Sequence, residues 1–419
     1  MIKARLNQLL RHPDNCCADL DEWLNGHGGQ GLAIALNDPS TLIPTVKAAG
    51  LRGLGGSGFP AYRKWQMMAA QPQGGERYLI CNGNEDEPGT FKDRILLEES
   101  PHQVIEGALI TALAASVNHI IFYINPHLKR ATEILSNAIA QWQQSGYLQK
   151  ISGALAAELV LKIIPSPGHY IAGEETAALE AVEGNFPFPR GKPPYPAVAG
   201  VHGRPTLINN VETLANVSHI VRNGAAWFQS LGESSCSGTK IYCVSGDVTS
   251  TGAYELPMGI TLESLIFQHA GGISGNRKFK AVFTGGPSNS ILTADELTAA
   301  LDFDSLKQHN AGLGTGAMIV VAEGNPIIPH IAEYLDFFAA ASCGQCPPCT
   351  SGTREMAQLT RKIASGNADE HDLDSLISLS ELLPGSGRCH LVDGAVTVLK
   401  SSLAHFPVEY QSLINKPSS

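Results

Sequence analysis

Between residues 77 and 165 short apolar runs alternate with longer amphipathic stretches. RYLIC opens as a buried strand and breaks at Asn82 into the polar loop NGNEDEP. PHQVIEGALITALAASV predicts a helix, IIFYI a strand, KRATEILSNAIAQWQQSG another helix and LVLKIIP another strand. Such alternation argues an α/β layer with a largely parallel sheet. From about Thr239 the pattern changes. KIYCVSGDV, a Thr-Gly turn, AYELP, the helix LESLIFQHAGG and the strand FKAVFTGG read as a small sheet packed on one helix, closed by GAMIVVAE, a β-grasp-like unit. HIAEYLDFFAAAS then carries Ile331, Leu335 and Phe338 on one helical face. TREMAQLTRKIASG carries Met356, Leu359 and Ile363 and stops at Gly366. DLDSLISLSELL ends at Pro384 and Gly385, and AVTVLKSSLAHF and VEYQSLI complete an all-α unit. At the other end MIKARLNQLLRHPDN reads as a short amphipathic helix opening a helical, connective stretch to about residue 50.

Composition narrows the class. With 419 residues, 43% of them hydrophobic and 16% charged, the chain is long enough for two to four domains with sizeable cores. A net charge of −10 without any basic run argues against nucleic acid as a partner. Nine cysteines, an odd number with one tight cluster, point to a reducing compartment. The N-terminus lacks a signal peptide's apolar core. The most apolar window, Val104 to Ile124, is interrupted by Glu106, Asn118 and His119, which speaks against a membrane span and leaves a cytoplasmic address as the default.

The cysteine cluster is the clearest chemical signal. Cys343, Cys346 and Cys349 form a C-x2-C-x2-C run, with Cys389 as a fourth candidate ligand. Three close thiolates and a distant one suit an iron–sulfur cube, whereas zinc ribbons bring cysteines in separated pairs; zinc and free thiols remain alternatives. His390 could replace Cys389, while Cys16, Cys17, Cys236 and Cys243 have no ligand spacing. Upstream, Gly53, Gly55 and Gly58 satisfy G-x-G-x-x-G, but TLIPTVKAAGL before them reads as a helix, so no Rossmann turn is expected. The loop still suits an anion: glycines admit close backbone N–H groups, Pro60 suits a first helical turn, and Arg63 and Lys64 add cations. An ordinary Gly-rich turn is the competing reading. Asn84, Glu85, Asp86 and Glu87 follow a strand end, where α/β proteins keep ligand contacts, although a solvated turn has the same composition. Glu174 and Glu175 open a helix, where the dipole favours them. Pro187 to Pro205 reads as a long loop shaped around a ligand, and Asn209 and Asn210 lead into another helix as a cap or a contact.

In order, GLGGSGFPAYRKW, CNGNEDEPGTFKDR, YIAGEETAALEAVEG, PRGKPPYPA, PTLINNVETLAN and SCGQCPPC with Cys389 resemble the flavin- and NADH-binding subunit of respiratory complex I and the diaphorase subunits of NAD-reducing hydrogenases and NAD-linked formate dehydrogenases. The resemblance covers Leu51 to Phe406 and implies a division into a helical segment (1–50), a non-Rossmann α/β domain binding FMN and NADH (51–237), a soluble-ligand-binding β-grasp domain (238–325) and a helical 4Fe-4S domain (326–419). It implies flavin phosphate contacts at Gly53, Gly55, Gly56, Gly58 and Lys64, and ribityl and ring contacts at Asn82, Asn84 and Glu85. Tyr170, Gly173, Glu174, Asn209, Asn210 and Thr213 complete the implied pocket. Glu87 and Glu175 match catalytic-site positions near the nicotinamide nucleotide, and Phe59 and Tyr195 match adenine-stacking positions. Cys343, Cys346, Cys349 and Cys389 would ligate the cluster.

The implied reaction is hydride transfer between NAD(H) and FMN, with single electrons passing through the 4Fe-4S cluster. The implied partners are a thioredoxin-like 2Fe-2S subunit and a larger iron–sulfur subunit, or a molybdenum, tungsten or nickel–iron catalytic subunit. The location is then cytoplasmic, or peripheral on the inner membrane through partners. Three departures from the family pattern stand out: Leu54 where Arg is usual, Asn84 where Asp is usual, and Asp86 where Gly is usual. Arg63 is a candidate replacement for the charge lost at Leu54, and Asp86 for that lost at Asn84. The departures favour the NAD+-reducing direction, and they leave a flavin-less cluster scaffold as the alternative.

Overall fold

The computed structural model describes residues 6–414. Its first sheet is parallel throughout. Strands β1 (Tyr78–Gly83), β2 (His119–Ile124), β3 (Val160–Pro165) and β4 (Thr206–Asn210) lie in the order β3-β2-β1-β4. The period of two along each strand sorts its side chains onto two cores. Leu79, Cys81, Ile120 and Phe122 face the helices Pro101–Ala115, Lys129–Gln144 and Val211–Asn223, whereas Tyr78, Ile80, Ile121, Tyr123 and Ile208 face the short helix Glu175–Val182. The helix Pro101–Ala115 is buried almost all round, which explains its unbroken apolar run. It presses on Val211–Asn223 so closely that a Cβ on Gly107 would stand 1.9 Å from the Leu214 carbonyl oxygen.

The second sheet is mixed: β5 (Thr239–Gly246), β6 (Gly252–Pro257), β7 (Phe279–Thr284), β8 (Ile291–Thr293) and β9 (Ala317–Ala322), in the order β6-β5-β9-β7-β8. β9 comes last in the chain but lies in the middle of the sheet, parallel to β5 and antiparallel to β7. The helical segment in LESLIFQHAGG is a π-type turn, Ser264–His269. β8 has only three residues, too few to show an alternation in sequence. The helices Ile328–Ala341, Pro347–Ala364, Glu370–Leu382, Leu391–His405 and Pro407–Ile414 follow. Ile331, Leu335, Phe338, Met356, Leu359 and Ile363 share their core with Phe283, Ile291 and Val321 of the second sheet, so the helical unit is seated on that sheet.

The N-terminus departs from expectation. Helices Leu20–Gly26, Gln30–Asn37 and Leu42–Ala49 fill the connective stretch, but residues 6–12 are not helical and only the turn Pro13–Asn15 follows them. The cause is Glu255 on β6, fully buried, whose carboxylate accepts from the N–H groups of Leu9 (3.3 Å), Leu10 (2.8 Å) and Arg11 (2.8 Å). Those donors would otherwise form helical bonds. Residues 1–5 of the expected helix lie outside the described residues.

Candidate functional site

The carboxyl ends of β1 and β4 lie side by side, with Asn82 opposite Asn210 in the parallel register. Ligand sites of open α/β sheets lie beyond this edge. Asn82 Nδ2 donates to the Gly173 carbonyl at 2.9 Å. Asn210 Nδ2 donates to Asp93 Oδ2 (2.6 Å) and the Asn82 carbonyl (3.3 Å), while its Oδ1 accepts from Lys92 Nζ and the Glu212 N–H, both at 3.0 Å. Asn210 is therefore at once the helix cap and the tie between two strand ends. Asn209 Oδ1 accepts from Trp65 Nε1 (3.0 Å) and Thr213 Oγ1 from the Leu54 N–H (2.8 Å), fixing both flanks of the glycine loop to β4 and its helix.

That loop closes on itself through Gly53 N–H to the Phe59 carbonyl (2.8 Å) and Gly58 N–H to the Gly53 carbonyl (3.2 Å). Among the described residues, the N–H groups of Gly55, Gly56 and Ser57 at its tip find no protein acceptor. A Cβ on Gly55 would stand 2.9 Å from Asn210 Cβ, so only glycine lets the tip lie this near the strand end. Spare donors on a glycine loop that leads into a helix are what a phosphate requires. Lys64, in the first turn of helix Ala61–Ala69, reaches inward, whereas Arg63 is exposed with Nε 3.3 Å from Tyr62 Oη and does not replace the charge missing at Leu54. Leu54 itself is buried in the core of the second sheet with Phe303 and Tyr242.

Lys64 Nζ donates to Glu175 Oε2 at 2.6 Å, and Lys192 Nζ donates to Glu175 Oε1 at 2.6 Å and Glu174 Oε1 at 3.1 Å. Burial opposes ionisation of Glu175, but the two ammonium groups outweigh it and hold the carboxyl pKa down to about 2. Glu174 caps helix Glu175–Val182 through the N–H groups of Thr176 (2.7 Å) and Ala177 (2.9 Å). Phe59 and Tyr195 keep 39% and 50% of their surface exposed, enough to offer a ring face to a planar group.

The acidic loop sends its side chains in separate directions. Glu85 accepts from the N–H groups of Asp93 (2.7 Å) and Arg94 (3.0 Å) at the start of helix Lys92–Glu99. Its carboxylate thus meets a helix terminus, and burial, then the neighbouring Asp93, push its pKa up to about 7. Asn84 accepts from the Ser166 hydroxyl and donates to the His169 carbonyl (3.2 Å) and Asp86 Oδ2 (3.3 Å). The charge missing at Asn84 therefore stands on Asp86, held in part by Asn84 itself. Glu87 accepts at Oε1 from the Ser288 hydroxyl (2.6 Å) and N–H (3.3 Å), across the junction with the second sheet, and burial raises its pKa. Tyr170 Oη lies 3.1 Å from the same Ser288 hydroxyl.

The four cysteines Cys343, Cys346, Cys349 and Cys389 line one small cavity with Ile171, Pro189, Gln345 and Arg388. Cys346 stands at the N-cap of helix Pro347–Ala364, with Cys349 in its first turn, so the helix terminus faces the thiolates. The Arg388 N–H donates to Cys346 Sγ (3.4 Å), and Ser342 Oγ lies 3.6 Å from Cys349 Sγ. Among the described residues no three His, Cys, Asp or Glu side chains gather as single-ion ligands. Sulfurs ringing a shared space, with N–H and O–H donors turned to them, suit a cluster that offers each thiolate its own iron. His390 is 99% exposed in its side chain, pairs with Asp393 at 3.0 Å and does not line the cavity.

One turn joins the two sites. Ile171 lines the cysteine cavity and Gly173 accepts from Asn82, both within the short helical turn Tyr170–Gly173. A phosphate-ready loop at parallel strand ends, coupled through this turn to a four-cysteine cavity, defines an iron–sulfur flavoprotein. The Nuo51 FMN-binding domain matches residues 46–219, the SLBB domain 240–321 and the NADH-ubiquinone oxidoreductase-F iron-sulfur binding region 330–413. The second F-type NADH-quinone oxidoreductase subunit of Rhizobium meliloti (strain 1021) is 41% identical over 95% of this chain and 94% of its own length. The F-type subunit of the same enzyme in Aquifex aeolicus (strain VF5) is 39% identical over 100% and 96%. A crystal structure of an NAD+-reducing [NiFe]-hydrogenase in the H2-reduced state superposes with a TM-score of 0.84 at 34% identity, covering 97% of this chain and 68% of that one. The chain belongs to the family of F-type NADH-quinone oxidoreductase subunits and is an FMN- and 4Fe-4S-binding oxidoreductase subunit. Among the described residues no helix is long and apolar enough to cross a membrane.

Sequence reading passed over Lys92, Asp93, Asn125, Lys192 and Ser288. Lys92 and Asp93 had a signal, an ion pair directly after the acidic loop, and Lys192 sits inside PRGKPPYPA. Ser288 had none, because it reaches the site from the other sheet.

Proposed function

We propose that this chain moves a hydride between NAD(H) and FMN and passes the electrons singly through a cluster ligated by Cys343, Cys346, Cys349 and Cys389. The observation carrying this is the shared turn Tyr170–Gly173, one side of which meets the strand-end asparagines and the other the cysteine cavity. Bound FMN supplies the exchange between two-electron and one-electron chemistry. The protein's part is position and electrostatics. The free N–H groups of Gly55 and Gly56, on the turn shaped by Gly53 and Gly58, take the phosphate, with Lys64 as counter-charge. Asn82, Asn84, Gly173, Asn209, Asn210 and Thr213 build the wall, in several cases by holding one another. Glu87 and Glu175 flank the nicotinamide nucleotide, with Phe59 and Tyr195 as stacking faces. The likeness to NADH-quinone oxidoreductase subunits supports NAD(H) over NADP(H).

The divisions at residues 50, 237 and 325 go with this reading. So does a place in a larger redox complex, beside a thioredoxin-like 2Fe-2S subunit and an iron–sulfur or metal-containing catalytic subunit, as the hydrogenase likeness supports. That likeness also supports the NAD+-reducing direction. The test is the purified chain itself: a flavin absorbance bleached by NADH supports the reading, and absence of flavin returns the cluster-scaffold alternative. For the cluster, Cys389→Ala should abolish or convert the 4Fe-4S EPR signal; an unchanged signal removes Cys389 from the ligand set. Native co-purification identifies the partners and with them the direction.

A further inference from the structure

NADH oxidation yields NAD+, two electrons and one proton. An iron–sulfur cluster conducts the electrons to a one-electron acceptor but not the proton, so each turnover must pass a proton between the buried pocket and water. We propose that Asp86 accepts this proton in NADH oxidation and supplies it in NAD+ reduction, and that His127 and His169 hand it between Asp86 and solvent. The proposal rests on the NAD(H)–flavin reading above.

The placement is graded from inside to outside. Asn84, 9% exposed, packs against Gly173, where a Cβ would stand 3.2 Å from its Nδ2. Asp86 comes next, partly exposed, its Oδ2 accepting from Asn84 Nδ2 (3.3 Å) and its Oδ1 from Asn125 Nδ2 (2.5 Å). His127 and His169 are exposed, and both act electrostatically on the Asp86 carboxylate. His127 Nε2 would lie 3.3 Å from a Cβ on Gly168, placing the ring beside the turn that carries His169. These groups sit at the adjacent carboxyl ends of β1, β2 and β3. Tyr123 of β2 feels the Asp86 charge, and its fully buried hydroxyl has no partner among the described residues. A buried hydroxyl without a protein partner marks a place for an ordered water.

The pocket's other carboxylates are otherwise engaged. Glu85 caps a helix, Glu174 caps a helix and meets Lys192, and Glu175 is held between two ammonium groups. Glu87 accepts from the Ser288 hydroxyl and N–H, at the junction with the second sheet. Burial raises the pKa of Asp86, opposed by its amide donors and the two histidines, which suits a carboxylate that must take up and release a proton.

The experiment is a spectroelectrochemical titration of the flavin in the holoprotein against pH, wild type beside Asp86→Asn. The wild-type midpoint potential should show an inflection where Asp86 titrates, and infrared difference spectra on reduction should show a protonated carboxyl band. Asp86→Asn should lose both and slow NADH turnover on the order of a hundredfold. An unchanged potential–pH curve in Asp86→Asn overturns the proposal. Should that variant not retain FMN, His127→Gln with His169→Gln makes the comparison from the surface: slower turnover with an acid-shifted pH profile is expected, and an unaltered profile overturns the proposal. Failure of NADH to bleach the wild-type flavin would instead remove the underlying functional reading.

Discussion

At the scale of single residues, the site depends on what a side chain excludes as much as on what it donates. Gly55→Ala would drive a Cβ to 2.9 Å from Asn210 Cβ and lift the loop tip. FMN retention, followed by the fluorescence of released flavin, should fall substantially while the far-UV spectrum stays unchanged, because Gly55 lies at the loop tip, outside the helices and strands. Glu175 makes a prediction with a definite sign. Its folded-state pKa is lowered from 4.5 to about 2, so the carboxylate stabilises the fold above the unfolded value and loses that contribution as pH falls toward 2. The shift corresponds to about 3 kcal/mol at neutral pH. Urea unfolding of wild type and Glu175→Gln should therefore differ by about that much at neutral pH and converge on acidification.

At the scale of elements, strand ends and helix starts do two jobs at once. Asn210 continues β4, caps the helix Val211–Asn223 and bonds Lys92, Asp93 and Asn82. Asn210→Ala strands buried donors and acceptors as well as removing a cap. A loss of about 2–4 kcal/mol in chemical unfolding, together with loss of FMN, is expected. This double duty sets how far the sequence could be read. The strand–helix alternation of the first sheet, the stripes of Ile331, Leu335 and Phe338, and the cysteine run were legible because each is a local pattern with its own period or spacing. Two kinds of feature were not. The unwound N-terminus follows from Glu255, whose carboxylate meets Leu9, Leu10 and Arg11 from a distant part of the chain. The separate tasks of Glu85, Asp86 and Glu87 depend on partners at Asp93, Asn125 and Ser288, and a row of acids in sequence looks the same whichever partner each finds.

At the scale of the whole molecule, the first and second sheets are joined by buried charge as well as by apolar packing. Lys240 of β5 and Glu212 of helix Val211–Asn223 form a fully buried pair, and Lys92 Nζ lies 3.2 Å from Glu212 Oε2. Glu212→Gln leaves Lys240 buried without its counter-charge, while Lys92 keeps Asp93 at 2.6 Å. It should cost about 3–5 kcal/mol and separate a single unfolding transition into two in a calorimeter. The turn Tyr170–Gly173 bridges its two sites by apolar packing instead, with Ile171 sharing a core with Phe338, Cys349 and Leu391 of the helical unit. Ile171 and Gly173 are two residues apart, so their separation is limited to about 7 Å by covalent geometry alone. Tunnelling rates fall exponentially with distance. Only the stretch from Ile171 to Gly173 is covalent; Ile171 meets the cysteine cavity by side-chain packing, so the speed of electron exchange between the two sites depends on how firmly the helical unit stays seated on this turn.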